Sequence, residues 1–366
     1  MATPITRSQV LAFRVRAQQL GRAAGDLADT AVLDIGVQNT GPDGGLWALA
    51  LRGLDVSGLA DDTLATVWTI RGAPHLYRRD DLPQVAAAVE PFSDADAGKR
   101  IYDASKPLKA AGISNIAALD AVAAAMRSVV TEPMVKGEVS ARLTAIMGEP
   151  YLRFCRPCDA THLYEMPFRL AALRAGLELQ AATSPPVLQP IPGFERASAA
   201  SPRHDLVRAY LRLLGPATPK HVADYLDAPL KDVKAAWPSD VAEVSVHGEL
   251  RWVLADDADH LDTDTADGTR LLGPFDLFLQ ARDRPMLVDD PLRAKVLWPA
   301  LGRPGAVLSD SEIVGTWRPR RTGRRFTVQV ELWTSDSTSL RQAISDQAER
   351  LAAYRQVELS AVDYTG

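Results

Sequence analysis

The chain has 366 residues, of which 46% are hydrophobic and 24% are charged, and these values exclude a largely disordered, collagen-like or disulfide-scaffold protein. The 41 basic residues against 46 acidic ones give a formal net charge of −5, so any binding of nucleic acid must depend on local clusters. The two cysteines and the absence of a signal peptide or a long apolar run predict a cytoplasmic protein without membrane contacts.

The first 90 residues predict helices followed by a β-hairpin. Ser8 and Thr30 are positioned to cap two helices, and a third apolar stretch follows at 46–54. In residues 67–79, β-branched and aromatic side chains alternate around a Gly-Ala-Pro break, which is typical of a hairpin. Three helices and a hairpin are the order of elements in a winged-helix module.

The middle of the chain predicts a second helical module, a linker and a third module. Residues 90–150 are rich in alanine and helical in pattern, whereas 183–203 are rich in proline and serine. From Asp205 onward the pattern again predicts three helices and two strands. Thr218 is placed to cap the second of these helices, with Pro219 at its first position.

From residue 271 the sequence changes to short apolar segments separated by Gly, Pro and Asp, which predict a small antiparallel barrel or sheet before a final helix. The predicted fold class is therefore α+β, with tandem winged-helix modules followed by a small C-terminal β-barrel. The predicted boundaries are 1–90 for the first module with the candidate active site, 91–200 for the second module and linker, 201–258 for the third module, 268–345 for the barrel, and 346–366 for a C-terminal helix or tail.

Winged-helix modules can bind a DNA duplex or contact only protein, and the fold alone leaves both possibilities open. Local charge favours DNA, because residues 315–325 hold a run of arginines and no acid, although a solvated turn is the alternative explanation. The arginines of this run are Arg318, Arg320, Arg321, Arg324 and Arg325. The first hairpin adds Arg71 and Arg78.

Cys155, Cys158 and His162 form a C-x2-C-x3-H pattern, which has a spacing that zinc ligands use. The chain has no further cysteine for a second zinc knuckle, so we favour packed thiols and predict no metal site. A redox pair is a third possibility, but no thioredoxin-like βαβ pattern surrounds the pair. Motifs for a P-loop, a zinc protease, a serine hydrolase and a calcium loop are absent from the sequence.

Several segments, taken together and in this order, resemble the AlkZ-like DNA glycosylases, a bacterial family of winged-helix proteins. The segments are GVQNTGPDGGLWALALRGL, VWTIRGAPHLYRRDDL, DLVRAYLRLLGPATPKHVADYL, LLGPFDLFLQARDR and IVGTWRPRR. The resemblance implies a C-shaped clamp on double-stranded, damaged DNA. It also implies hydrolysis of the N-glycosidic bond of alkylated bases, including the unhooking of crosslinks, by a monomer that needs no metal or organic cofactor.

The resemblance also implies the catalytic residues. The family motif of Gln, an apolar residue and Gln matches Gln38-Asn39-Thr40, so Gln38 orients the attacking water and Thr40 replaces the second Gln. A threonine hydroxyl is shorter and is not a base. Asp43 is the candidate carboxylate that assists, although a plain turn residue is the alternative explanation.

The family's Arg-Gly-Thr-x-His segment appears here as residues 71–75, with Ala in place of Thr. Arg71, His75, Arg78 and the arginines of 318–325 are therefore the candidate DNA-binding residues.

Three functional hypotheses follow. The first is a DNA glycosylase for cationic N7- or N3-alkylated purines, since a neutral carboxamide orients water but does not abstract a proton. The second is a catalytically silent winged-helix DNA-binding or regulatory protein, because Thr40 has replaced the second Gln. The third is a protein-interaction module without a DNA partner.

Overall fold

The computed structural model describes residues 2–41, 43–263, 266, 268–322 and 325–365. Its α-helices are α1 (Arg7–Ala17), α2 (Gly44–Ala50), α3 (Leu82–Ala88), α4 (Asp94–Arg100), α5 (Ser105–Ala110), α6 (Asn115–Val129), α7 (Lys136–Ile146), α8 (Glu165–Arg174), α9 (Leu206–Leu214), α10 (Pro219–Leu226), α11 (Leu230–Ala235), α12 (Arg284–Leu287), α13 (Pro291–Leu297) and α14 (Thr338–Tyr354). Its strands are β1 (Thr3–Ile5), β2 (Val37–Gln38), β3 (Leu64–Trp68), β4 (Pro74–Arg78), β5 (Met134–Val135), β6 (Leu152–Cys155), β7 (Ala160–Leu163), β8 (Leu177–Leu179), β9 (Val187–Pro190), β10 (Val241–Val246), β11 (Glu249–Leu254), β12 (Thr269–Leu272), β13 (Gly305–Ser309), β14 (Glu312–Thr322), β15 (Arg325–Leu332) and β16 (Glu358–Thr365).

The predicted first hairpin is the pair β3–β4, and it belongs to a six-stranded sheet with the order β2-β4-β3-β8-β9-β5. Strands β8, β9 and β5 come from residues 134–190, so this sheet crosses the predicted boundary between residues 90 and 91. Strand β9 also occupies part of the Pro- and Ser-rich segment that the sequence predicts as a linker.

The second predicted helix of the N-terminal region, the one assigned to a Thr30 cap, is wrong. Residues Ala31–Asp34 form one short 3-10 helix, and the side chain of Thr30 makes no capping hydrogen bond. The chain then continues as strand β2, which pairs antiparallel with β4. Gln38 therefore lies at the end of a strand rather than near the end of a helix. The first helix, α1, is capped by Thr6 and not by Ser8.

Residues 205–254 fold as the sequence predicts, into three helices and an antiparallel pair of strands. The Asp205 side chain caps α9, Thr218 caps α10, and Pro219 occupies the first turn of α10. The strands β10 and β11 pair antiparallel, and the N-terminal strand β1 joins them in parallel to give a three-stranded sheet.

The C-terminal strands form a five-stranded sheet in the order β12-β13-β14-β15-β16, and the described strands leave β12 and β16 as open edges. The β-barrel of the predicted fold class is therefore corrected to an open sheet, which is the other arrangement that the sequence of these segments allows. Strand β16, which the sequence analysis did not predict, pairs in parallel with β15 after the chain crosses over through α14.

The largest hydrophobic cluster combines α1, α2, the 205–254 region, the C-terminal sheet and α14, while smaller clusters lie within residues 65–191. Among the described residues, no single helix is long and apolar enough to cross a membrane. Only Tyr102–Ala110 and Asn115–Val129, bent by 101° to each other, pass that test as a pair.

Candidate active site

The structure brings Gln38 and Thr40 together. Gln38 is half-buried at the end of β2, opposite His75 of β4 in the strand register. Its Nε2 donates a hydrogen bond to Thr40 Oγ1 at 3.2 Å, which leaves the carbonyl oxygen Oε1 of the same side chain to accept from another group. The carboxamide is thus held in one orientation by the residue that replaces the second Gln of the family motif.

Asn39, between them, has a structural role. Its Oδ1 accepts a hydrogen bond from the backbone N–H of Gly45 at 2.8 Å, in the first turn of α2. Gly44 has a φ of +57°, and a Cβ there would lie 2.4 Å from Asn39 Oδ1. The polar middle residue therefore requires glycine at position 44 and fixes the turn after the strand.

Gln38, Thr40 and Asp43 line one small pocket, and the segment 273–276 that follows β12 forms another wall. The pocket has about 10 Å³ for the centre of a water-sized sphere. This is about the space that a single ordered water needs, provided that polar partners surround it. The arrangement can hold one water beside the carboxamide and the hydroxyl.

Asp43 is held by the end of the C-terminal helix. Arg355 donates to it through two hydrogen bonds of 2.5 Å, from Nε to Oδ1 and from Nη2 to Oδ2. The Tyr354 hydroxyl donates to the Asp43 backbone oxygen at 2.9 Å. Both carboxylate oxygens are therefore engaged, so Asp43 is better suited to shaping the pocket than to accepting a proton from water.

The segment 273–276 is fixed by a buried ion pair. Arg52, which follows α2, donates from Nη1 and Nη2 to the two oxygens of Asp276, each at 2.9 Å. The Asp276 side chain also accepts from the backbone N–H of Phe278 at 3.0 Å. This bidentate pair joins α2 to the wall of the pocket.

His75 is fully buried, and burial together with the charge of Arg71 lowers its pKa to about 3. Its Nδ1 donates to the Ala73 backbone oxygen at 3.0 Å and lies 3.0 Å from Thr69 Oγ1. Its Nε2 has no hydrogen-bond partner among the described residues. The phosphate contact of His75 stays a prediction, and it would require the imidazole to become exposed, since the side chain lies inside the protein here.

Arg78, which the sequence predicts as a DNA contact, is held inside the protein by ion pairs and backbone contacts. It is buried, and its Nη1 pairs with Asp34 Oδ1 at 2.7 Å and with Asp81 Oδ2 at 3.0 Å. Its Nε and Nη2 donate to the backbone oxygens of Leu27 and Thr30. These contacts attach β4 to residues 27–34 and leave the guanidinium with no face for a phosphate.

Arg71 is half-buried and has a φ of +58°. It donates to the backbone oxygen of Tyr225 and, at 2.8 Å, to Gln280 Oε1, and burial lowers its pKa. A phosphate contact by Arg71 would require it to leave these partners.

The arginines of the C-terminal hairpin lie on the surface. Arg318, Arg320 and Arg321 of β14 and Arg325 of β15 are exposed, and Arg324 lies outside the described residues. Arg318 donates to the Gly302 backbone oxygen at 2.7 Å, which places the middle of β14 beside the loop before β13.

A further basic group, which was not predicted from the sequence, consists of Arg303 in that loop and of Arg282 and Arg284 near the start of α12. The Arg303 guanidinium lies 5.5 Å from the ring centre of Phe275, a residue of the pocket wall. Arg284 is half-buried, and burial lowers its pKa, as does repulsion from Arg282 and Arg303. Gln38 and Phe275 thus line one pocket, Arg303 lies over Phe275, and the neighbouring Gly302 contacts Arg318 of the hairpin. The sequence did carry a signal for two of these arginines, because Arg282 and Arg284 stand in the ARDR end of the LLGPFDLFLQARDR segment.

A family model described as DNA glycosylase AlkZ-like matches residues 35–354. The chain belongs to the AlkZ-like DNA glycosylase family. The resemblance inferred from sequence is thereby confirmed, and membership supports a DNA-binding protein of DNA repair with a glycosylase-like function.

Among solved structures, the chain is similar to the Streptomyces sahachiroi DNA glycosylase AlkZ, with a TM-score of 0.74 and 21% sequence identity. The match covers 99% of this chain and 100% of that chain, and at this identity it shows a common fold. Comparison with curated proteins gives no match.

Proposed function

We propose that this AlkZ-like protein is an active DNA glycosylase that removes cationic N7- or N3-alkylated purines, including purines in crosslinks. The observation that supports this most directly is the hydrogen-bonded pair of Gln38 and Thr40 beside a pocket with room for one water. The pair belongs to a chain of a glycosylase family and remains partly exposed to solvent.

The proposed reaction needs little from the protein beyond orientation and electrostatics. Gln38 Oε1 accepts a hydrogen bond from the water and directs its oxygen toward C1′ of the sugar. The bond between C1′ and the purine nitrogen breaks, its electron pair neutralises the cationic base, and the proton of the attacking water passes to solvent. Alkylation has already made the base a good leaving group, so an oriented water and a stabilised oxocarbenium-like sugar suffice.

Thr40 holds the carboxamide in place and is not itself the base. Its hydroxyl accepts from Gln38 Nε2, so the amide cannot rotate without losing that hydrogen bond. Asp43, neutralised by Arg355, shapes the pocket wall. A site of this composition predicts weak activity on neutral bases, because no side chain in it is free to take a proton from water.

Double-stranded DNA is the proposed partner of a monomer in which winged-helix modules and the C-terminal sheet form a clamp. The surface proposed to bind phosphate comprises Arg303 beside Phe275, the nearby Arg282 and Arg284, and the exposed arginines of β14 and β15. The contact between Arg318 and Gly302 supports a single continuous surface, since Arg303 is the next residue and stacks near Phe275.

The test is release of N7-methylguanine from a duplex oligonucleotide, followed by cleavage of the abasic product under alkaline conditions. We expect release by the wild-type protein and loss of release in Gln38→Ala. Gln342→Ala removes an exposed glutamine on α14 and is expected to keep wild-type activity. Release that persists unchanged in Gln38→Ala would contradict the assigned role.

The second candidate is a DNA-binding protein that has lost the chemistry, and the replacement of the second catalytic Gln by Thr40 favours it. The two candidates differ in one result. Salt-dependent binding to the methylated duplex without base release at any pH between 5 and 9 supports the silent protein, whereas release supports the enzyme.

A further inference from the structure

The hairpin β6–β7 carries both cysteines of the chain and a histidine. Cys155 ends β6, Cys158 lies in the 3-10 turn Arg156–Cys158, and His162 lies on β7. In the register, Cys155 faces Ala160, so His162, two residues further along β7, lies on the same face of the hairpin. The turn therefore gathers three soft ligand groups at one end of the hairpin.

The thiols are not packed inside the protein, contrary to the expectation from sequence. Cys155 is half-buried and Cys158 is exposed. Their sulfurs are 3.3 Å apart, and the two sulfurs and one imidazole nitrogen all lie within 4.8 Å of one another. Zinc bonds of about 2.3 Å to sulfur and about 2.0 Å to nitrogen place neighbouring ligand atoms roughly 3.5 Å apart in a tetrahedral site. Small side-chain movements therefore suffice to meet this geometry.

The imidazole already has the hydrogen bond that a metal ligand uses. His162 Nδ1 donates to the Leu163 backbone oxygen at 3.1 Å, which fixes the tautomer and leaves a lone pair on Nε2.

The hairpin packs on the protein through Leu163, but no further strand among the described residues extends its sheet. It is a two-stranded sheet separate from the other sheets, and such a pair has little stability of its own in water. Its Phe154 side chain is 60% exposed, so that ring adds little apolar packing. A cross-link between the strands at the turn would fix the hairpin.

We propose that Cys155, Cys158 and His162 bind one zinc ion, with a water molecule as the fourth ligand, and that this ion fixes the β6–β7 hairpin. The site is separate from the pocket at Gln38, and its metal is structural. The proposal does not depend on glycosylase activity, and its test does not measure that activity.

The test uses the full-length reduced protein and cobalt as a spectroscopic substitute for zinc. We expect about one equivalent of Co²⁺ to bind with a thiolate-to-metal charge-transfer band and tetrahedral d–d bands, and Zn²⁺ to displace it. Cys158→Ser and His162→Gln are expected to lose or shift these bands. His260→Gln, which changes an exposed histidine elsewhere, is expected to leave them unchanged.

A second measurement applies even if a variant fails to fold. We expect Zn²⁺ to slow alkylation of the two wild-type thiols at least about tenfold, because a coordinated thiolate is a poorer nucleophile. Three results overturn the proposal: no charge-transfer band, no protection from alkylation, or a Cys155–Cys158 disulfide as the only modification that the pair undergoes.

Discussion

At the scale of single residues, Thr40 is the most informative position. If its hydroxyl holds the Gln38 carboxamide, Thr40→Val keeps the side-chain shape and loses one neutral hydrogen bond. Such a bond contributes about 1 kcal/mol, so we expect a roughly threefold to tenfold lower single-turnover rate of base release. Thr40→Ser retains a hydroxyl and is the matched control. Equal rates for the valine and serine variants would remove Thr40 from the mechanism.

His75 predicts a pH dependence of stability rather than of catalysis. Its pKa is about 3 when folded and about 6.5 when unfolded, so between these values the unfolded chain binds one proton more than the folded chain. The contribution of His75 to stability is present above pH 6.5 and is lost as the pH falls toward 3. We expect His75→Gln to lessen the fall in unfolding free energy over this range by up to about 1.4 kcal/mol per pH unit. Urea unfolding of the wild-type protein and the variant at several pH values measures this pH dependence. If plots of unfolding free energy against pH run parallel for the two proteins, the lowered pKa of His75 is contradicted.

The candidate site shows what a sequence reveals about residues and what it does not. The family motif placed Gln38 and Thr40 in one site, and the structure brings them into contact. Asp43 also lies there, but its partner Arg355 is more than 300 positions away and left no local signal. Arg78 looked like a surface cation because its acidic partner, Asp34, is 44 positions away in the chain. Burial and long-range pairing decide these roles.

At the scale of elements, the Arg52–Asp276 pair carries the clearest prediction. Both side chains are buried, at 1% and 0% exposure, so Arg52→Met leaves a carboxylate without its partner in the protein interior. We expect a loss of about 3–5 kcal/mol in unfolding free energy. Arg142→Met, which breaks an exposed pair with Glu138, is the control and is expected to cost less than about 1 kcal/mol. Chemical denaturation of both variants measures the two losses of unfolding free energy. Losses of similar size would contradict a special contribution of the buried Arg52–Asp276 pair.

Elements with strong local signals were predicted correctly, and elements defined by distant partners were not. Thr218 and Pro219 mark the start of α10 within two residues, so its prediction was confirmed. The stretch after Thr30 was predicted as a helix because it is apolar, but it is short. Its end forms strand β2 because it pairs with β4, which lies far along the chain. Strand β16 has the alternating burial of an edge strand, yet it exists because β15 offers a free edge after α14. Open and closed sheets differ only in whether the edge strands meet, which local sequence does not encode.

At the scale of the whole molecule, the distribution of charge matters more than the net value of −5. If the exposed arginines of β14 bind phosphate, each released counterion contributes to the salt dependence of DNA affinity. We expect Arg318→Ala and Arg320→Ala each to reduce the slope of log affinity against log salt by about 1. Arg142→Ala, on α7, is expected to leave the slope unchanged. Fluorescence anisotropy of labelled duplex DNA at several salt concentrations measures this slope. Unchanged slopes in all three variants would exclude the exposed arginines of β14 from DNA binding.

The main hydrophobic cluster has a practical consequence for anyone who divides this chain into fragments. It extends from Val10 to Ala352, and Asp283 bridges Arg14 near one terminus and Arg251 in the middle through buried ion pairs. Neither half of a chain split near residue 200 would bury its share of that interior alone. Halves produced separately are therefore expected to aggregate, whereas halves produced together have the complementary surfaces needed to reassemble.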